Sequence, residues 1–467
     1  SAGVYRQPRA IRSEKLGYVK LGGKVPVLAE KVKGKDCSKG WYAVKGGGYI
    51  CSSVGSTDPK SKTARFAPSQ PNVSEILPYQ YARNAQNGTP AYRSLPNSDQ
   101  LCDYEPFLKE CVEKKKTLDA RKEAIRQERE ADLAQMREQG LAVGGAPPTE
   151  GLDDEPVEEA VPLWERTEDL NELKITDLRE GADGMLAGRL MKGFYVAIDK
   201  EFEWKNRKYF KTTKSVMVPA NRFWKTSPSD FQGLEIDGEE WKIPVAWVAG
   251  PRKFAPTYEI NVETNAVKAK GSLKKFTPIQ LNGEHHKIGT KDYFQTKDGL
   301  WVRDPHTRTA KPGPRPDEVG DDEVWLDVDI SEQTVVVLRG DTPIYATLIS
   351  SGRHSNDEEK DHSTPRGMWR VREKHMASTM DGDGSAAGDL PYSIEDVPYI
   401  MYFYKSYATH AAFWHRNYGS QMSHGCVNLS PLDAKKIFFL ASPALPEGLH
   451  GVWSGDDNPG SWVVVHD

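Results

Sequence analysis

Along residues 12–56, apolar side chains fall in short alternating runs cut by glycine: Tyr18-Val19-Lys20-Leu21, Val25-Pro26-Val27-Leu28, Trp41-Tyr42-Ala43-Val44 and Tyr49-Ile50-Cys51. A period of two, interrupted every few residues by turn formers, predicts a small antiparallel β-unit, assigned to residues 1–56. Residues 57–102 are rich in Pro, Ser and Asn and predict a loop-rich connector. Over residues 103–138 the pattern changes: Glu, Lys, Arg and Ala dominate and no proline follows Pro106. That predicts a charged helix or helical hairpin. Its apolar positions, Phe107, Leu108, Val112, Leu118, Ile125, Leu133 and Met136, form only a thin stripe, as a solvated spacer would. Residues 139–162 combine acidic residues with Gly and Pro and predict a flexible linker.

Residues 163–319 contain an internal echo. Asn206-Arg207-Lys208-Tyr209-Phe210-Lys211-Thr212 recurs as Thr290-Lys291-Asp292-Tyr293-Phe294-Gln295-Thr296, and each is followed by a second extended run, Val216-Met217-Val218 or Leu300-Trp301-Val302. With Phe194-Tyr195-Val196-Ala197-Ile198 and Val245-Ala246-Trp247-Val248 as further strands, one or two small barrels are expected here. His285-His286 has no Cys or acidic partner at ligand spacing, so an exposed turn is expected there rather than a metal site. In residues 320–467, Val324-Trp325-Leu326-Asp327-Val328-Asp329 and Thr334-Val335-Val336-Val337-Leu338 predict a hairpin, residues 344–351 a third strand and residues 397–403 a buried strand. Residues 377–391, rich in Gly and Asp, predict a mobile insertion. Asp381-Gly382-Asp383-Gly384 begins like a calcium loop, but position twelve is Tyr392, not Glu. The expected fold class is multidomain and mostly β.

The length of 467 residues suits about three domains, each able to bury a core. A net charge of −4 implies no bulk attraction to nucleic acid or anionic membrane. No apolar run reaches the length of a membrane span. The chain opens on Ser1 without an apolar targeting segment, so Ser1 reads as a processed start with any signal peptide absent from the sequence. Five cysteines, Cys37, Cys51, Cys102, Cys111 and Cys426, make two close pairs and one left over. That is the count expected of an exported protein with one working thiol; the spacings favour Cys37–Cys51 and Cys102–Cys111 without proving the connectivity.

The left-over Cys426 sits in Met422-Ser423-His424-Gly425-Cys426-Val427-Asn428, with Thr409-His410-Ala411-Ala412-Phe413-Trp414-His415 a few residues upstream. Cysteine attacks as the thiolate, and a nearby imidazole is the usual means of generating one near neutral pH. Gly425 permits a tight turn whose amides, those of Gly425 and Cys426, are candidate oxyanion donors. Ser430-Pro431-Leu432-Asp433 reads as a helix start, with Ser430 the N-cap, Pro431 at the first helical position and Asp433 in the place of a capping-box acid. Cys426 is therefore expected on an exposed turn between a strand and a helix.

Ser423-His424-Gly425-Cys426-Val427-Asn428 with the upstream histidine resembles the signature of the L,D-transpeptidases, the YkuD family. The likeness runs from Tyr407-Ala408-Thr409-His410 through Trp414-His415-Arg416-Asn417-Tyr418-Gly419 to Asp433-Ala434, and Thr364-Pro365-Arg366-Gly367 resembles the family's Thr-Pro-x-Gly turn. Gly40-Trp41-Tyr42-Ala43-Val44 and Gly48-Tyr49-Ile50 resemble bacterial SH3-like domains, and the middle units look similar. The resemblance implies a YkuD β-sandwich over residues 320–467 with few helices. It implies His410 as the base for Cys426, its ring oriented by a backbone carbonyl, with His415 a rival by spacing. Ser423 and His424 would shape the site, together with Asn428, Trp414, Tyr392 and Tyr402. The implied reaction is acyl transfer from a peptidoglycan stem tetrapeptide through a thioester, with loss of D-alanine, to an amine of another stem or of an envelope protein. No cofactor or metal is needed, and the implied location is the cell envelope, the periplasm first. Two other readings stay open: a hydrolase of the same fold, acting as L,D-carboxypeptidase or as an amidase on wall-linked protein, and a wall-binding scaffold.

Overall fold

The computed structural model describes residues 1–58, 60–98, 100–138, 173–179, 182–250, 253–383 and 392–467. In the N-terminal unit, Ala2–Tyr5 pairs with both Lys15–Val19 and Tyr49–Cys51, and Val27–Val32 and Trp41–Val44 complete the ladder. Val4, Val19, Val44 and Ile50 are buried together, and Leu449 from the far end of the chain closes their core. Pairing begins at Ala2, ahead of the alternating runs. A disulfide joins Cys37 to Cys51.

Residues 57–102 are not a plain connector. Gln80–Asn84 and Thr89–Tyr92 are strands. They join Leu186–Leu190, Tyr195–Trp204, Arg207–Thr212, Met217–Pro219 and Phe223–Lys225 in a middle unit around Ala82, Val196, Phe210, Val218 and Phe223. Every residue of Thr89–Tyr92 is buried, and so are the adjacent Tyr81 and Ala82, so neither strand carries a period-two signal. Their partners lie far downstream, beyond the long helix. That helix is one continuous rod, Lys109–Glu138, of 30 residues, spanning roughly 45 Å at 1.5 Å per residue. Its foot is fixed by the Cys102–Cys111 disulfide. It is also held by Glu105, which is fully buried, receives Arg207 through two bonds of 2.6 and 2.9 Å, and accepts the Tyr92 hydroxyl at 2.8 Å. The linker expected at residues 139–162 lies outside the described residues.

A third unit holds Val245–Val248, Phe254–Asn261, Ala266–Lys274, Pro278–Ile288, Lys291–Thr296, Trp301–Arg303 and Thr307–Ala310. The sequence echo has a structural counterpart. Arg207–Thr212 and Lys291–Thr296 are each followed by a three-residue strand, a single 3-10 turn and another strand. His285 and His286 are not in a turn but in the strand Pro278–Ile288, where their rings bond to Asp292 and Asn265 respectively.

The C-terminal region is two packed sheets. One runs in the order Leu234–Glu235, Thr342–Leu348, Thr334–Arg339, Val324–Asp329, Trp462–His466, Gly367–Arg370, with Trp462–His466 parallel to Val324–Asp329. Its central strands are buried on both faces, which is why they read as continuous apolar runs rather than alternating ones. One face packs on the third unit through Trp247, Trp325, Val336 and Leu348. The other packs on the second sheet and the helix Pro431–Leu440 through Val335, Val337, Tyr399, Ile437 and Phe438. The second sheet links Gly451–Trp453, Glu373–Gly382, Tyr392–Tyr404, Tyr407–Ala411 and Val427–Leu429. Residues 377–382 belong to the strand Glu373–Gly382, paired with Tyr392–Tyr404, and are not a loop; residues 384–391 lie outside the described residues.

Three seams tie the units to these sheets. Lys15–Val19 pairs with Gly451–Trp453, Leu234–Glu235 with Thr342–Leu348, and Tyr195 bridges Ile394.

Candidate active site

His410 and Cys426 lie on segments joined by a parallel ladder. Thr409 pairs with Val427, His410 with Asn428 and Ala411 with Leu429, so Cys426 enters the ladder opposite Ala408. The loop before it is fixed on every side. Gly425 has φ +113°, and a Cβ there would lie 2.3 Å from the Tyr407 ring, so only glycine fits. Thr364 Oγ1 donates to the Gly425 carbonyl at 2.9 Å and accepts the Gly352 N–H at 2.9 Å. Ser423 is buried, donates its hydroxyl to the Cys426 carbonyl and accepts the Gly425 N–H at 3.1 Å. Two expectations change here. The Ser423 hydroxyl is used up bracing the turn, and the Gly425 amide is taken by it. No protein acceptor for the Cys426 N–H is present among the described residues.

After the ladder, Ser430 caps the helix Pro431–Leu440 by accepting the Asp433 N–H. Asp433 reaches back to the cap through the Ser430 hydroxyl, which donates to its carboxylate at 2.8 Å, rather than through the backbone N–H of a capping box. Its buried carboxylate accepts Tyr345 and Thr347 hydroxyls at 2.6 Å and the Gly233 N–H at 2.8 Å, pinning helix, sheet and the preceding segment together.

The two histidines differ in what their nitrogens can do. Nδ1 of buried His410 lies 3.3 Å from the Ala411 carbonyl, so it carries the proton and Nε2 keeps its lone pair. In His415, Nδ1 accepts the Asn417 N–H at 3.2 Å, so Nε2 carries the proton. That nitrogen is 3.0 Å from the Asn428 side-chain amide, whose Oδ1 is otherwise buried without a partner. The amide is therefore assigned with its oxygen toward the ring. Both His415 nitrogens are occupied; His410 has one free.

Cys426 is half-buried in an apolar cluster that includes Ala408, Phe413, Trp414, Tyr392 and Tyr402, and its Sγ points to the Ser406 carbonyl at 3.9 Å. Trp414 stacks on His410 with ring centres 5.6 Å apart. His424 is exposed at the rim, stacked on Tyr392 at 6.0 Å and edge-on to His362 at 4.8 Å. Burial pushes the Cys426 thiol up to about 11, with the Ala408 N–H acting the other way. Burial also lowers His410 to about 4, against the pull of the Ala411 carbonyl, and lowers His415 to about 4. Burial and the neighbouring Cys426 push Tyr392 and Tyr402 up to about 12. At pH 7 both the thiol and the imidazole are therefore neutral. Thr364, Tyr407 and Ser406 went unassigned from sequence; the Thr-Pro-x-Gly turn marked the first without revealing what its hydroxyl holds.

Residues 323–465 match the family model of YkuD, the L,D-transpeptidase catalytic domain. Among curated proteins, YciB of Bacillus subtilis (strain 168), named as a candidate L,D-transpeptidase, is 27% identical over 131 residues, covering 25% of this chain. The chain spans 59% of the length of that relative. The solved catalytic domain of an E. faecium L,D-transpeptidase is 22% identical, with a TM-score of 0.23, over 31% of this chain and 98% of that one. L,D-transpeptidase 3 from Mycobacterium tuberculosis, in complex with a faropenem-derived adduct, is 20% identical, with a TM-score of 0.24, over 40% of this chain and 78% of that one.

Proposed function

Residues 323–465 carry a YkuD, or L,D-transpeptidase catalytic, domain, and on that premise we propose that this protein is a cell-envelope transpeptidase working through a Cys426 thioester on peptidoglycan stem peptides. The observation that carries the reading is a half-buried thiol whose neighbouring strand carries His410, with Nδ1 on a backbone carbonyl and the Nε2 lone pair kept, whereas both His415 nitrogens are engaged.

In this reading Cys426 Sγ attacks the carbonyl carbon of the third stem residue while its proton passes to His410 Nε2. The oxyanion formed faces the Cys426 N–H. The tetrahedral species collapses, the C–N bond breaks, and the leaving D-alanine nitrogen takes the proton from His410. The thioester is then attacked by an amine of a second stem or an envelope protein. His410 removes the proton of that amine, and Cys426 leaves as the thiol. The aromatic surroundings of the thiol, Tyr392, Tyr402 and Trp414, favour an amine acceptor over water, because they keep the thioester in a water-poor pocket. Two disulfides and one free thiol agree with an exported protein, and the periplasm is the compartment proposed. The N-terminal and middle units are proposed to be SH3-like and to serve substrate approach.

Incubation with purified stem tetrapeptides at high concentration, followed by mass spectrometry, tests the proposal. A crosslinked dimer lacking one D-alanine is expected, and none with Cys426→Ala. Tripeptide alone would replace the transpeptidase with a hydrolase. No product at all would sink the peptidoglycan reading.

A further inference from the structure

The apolar cluster around Cys426 is shared between two units. Tyr81, Ala197 and Tyr195 of the middle unit pack with Phe413, Trp414 and Cys426 of the C-terminal region. The Tyr81 ring stacks on Phe413 with centres 4.1 Å apart. Tyr195 meets Phe413 edge-on at 5.5 Å and Trp414 at 6.5 Å. Phe413 in turn stands edge-on to Trp414 at 5.1 Å, and Trp414 stacks on His410. The contact is backed by polar bonds: the Tyr81 hydroxyl donates to the Asp396 carbonyl at 2.5 Å, and the Ala197 N–H donates to Glu395 at 3.1 Å. Aromatic contacts of this kind are favourable beyond the area they bury and fix the orientation of the rings that make them.

We propose that the middle unit is a working part of the active site, in which Tyr195 and Tyr81 are positioning residues that hold Phe413 and Trp414 against His410 and so aim its free nitrogen at Cys426. The inference rests on the roles given above to Cys426 and His410. It assigns a function in the reaction to a unit whose sequence reads only as an accessory module, and it makes the base depend on residues outside the family's own stretch of chain.

The test follows alkylation of Cys426 by iodoacetamide in the full-length protein, read by mass spectrometry; it needs no peptidoglycan, so it stands apart from the transpeptidase assay. Sγ displaces iodide and its proton goes to His410 Nε2. A thiol served by a neutral imidazole reacts at a rate nearly flat between pH 6 and 9, whereas an unaided thiol of high pKa gains about tenfold per pH unit. Around the pair, His415 sits on the same segment, Tyr392 and Tyr402 on the neighbouring strand, Tyr81 and Tyr195 on the middle unit, and His424 and His362 at the rim. Glu395 titrates near 7 in the seam itself, so all profiles are taken in a Glu395→Gln background.

With Tyr195→Leu the rate at pH 7 should fall at least about tenfold, part of what a general base supplies, and the profile should steepen toward that of His410→Ala. Tyr195→Phe, which keeps the ring, should retain the parent rate and flat profile. Phe210→Leu damages the core of the same unit without touching Phe413. If it steepens the profile as Tyr195→Leu does, the effect is general loosening and the proposal falls. It also falls if Tyr195→Leu leaves rate and profile unchanged, or if the parent protein already behaves as an unaided thiol.

Discussion

Replacing Glu395 with glutamine should stabilise the protein in mildly alkaline solution and leave it nearly unchanged at pH 4. Glu395 lies on the strand Tyr392–Tyr404 and is 5% exposed. Its carboxylate accepts the Ala197 N–H and has Lys214 at 3.9 Å. Burial is the dominant influence and raises its pKa from 4.5 to about 7, with Lys214 and the amide pulling the other way. A carboxyl whose folded pKa lies above its unfolded one holds its proton more tightly when folded. Its contribution is therefore full below about pH 4.5 and is lost as the pH rises through about 7. The loss amounts to about 3 kcal/mol, since each pKa unit is worth about 1.4 kcal/mol. Glutamine keeps an acceptor for the Ala197 N–H and cannot ionise. Urea unfolding followed by tryptophan fluorescence at pH 4 and 8.5 reads the effect: nearly coincident curves at the lower pH, and at the higher a variant more stable by up to about 3 kcal/mol. A glutamine variant less stable than the parent at pH 8.5 would mean that the Lys214 contact outweighs burial, and the reasoning would fail.

Three further outcomes are expected. Thiol titration of the denatured protein without reductant should count one group, Cys426; three or more would break the disulfide assignment. His410→Ala should lower acyl transfer by about a hundredfold or more, and His415→Ala by much less because both its nitrogens are already engaged; the reverse ranking would move the base to His415. Gly425→Ala should abolish acyl transfer and cost about 1–3 kcal/mol of strain, and adding Tyr407→Ala should recover part of the stability, since the clash is with that ring; a fully active Gly425→Ala enzyme would refute the account of the loop.

The signals that pick out the candidate site are local. Ser423 to Asn428, the Ser430 cap and the short disulfide loops each depend on residues within a few positions of one another. What sequence hid depends on distant partners. Gln80–Asn84 pairs with Tyr195–Trp204, more than a hundred residues on, and Lys15–Val19 finds Gly451–Trp453 at the other end of the chain. No local period can announce such pairings, so a stretch containing two strands, one of them buried throughout, reads as connector. Hydroxyl partners are hidden for the same reason: nothing near Ser423 in sequence says that its oxygen would claim the Gly425 amide, or that Thr364 would brace the same loop from the other side. Spacing does not separate His410 from His415, and the proposed choice of His410 rests on single bonds at Nδ1.

The long helix leaves the middle unit after Tyr92, and the chain returns at Leu186, yet Thr89–Tyr92 and Leu186–Leu190 are paired antiparallel neighbours. In effect the whole excursion is the turn of a β-hairpin, and Tyr104 donating to Asp183 at 2.6 Å clasps its neck. A turn of that kind is a free length parameter. Doubling it would cost about 0.6 kcal/mol in closure entropy and would not shift a single register elsewhere. Evolution, or an engineer, can therefore retune how far this rod projects, or exchange what it presents, while the catalytic pair keeps its geometry.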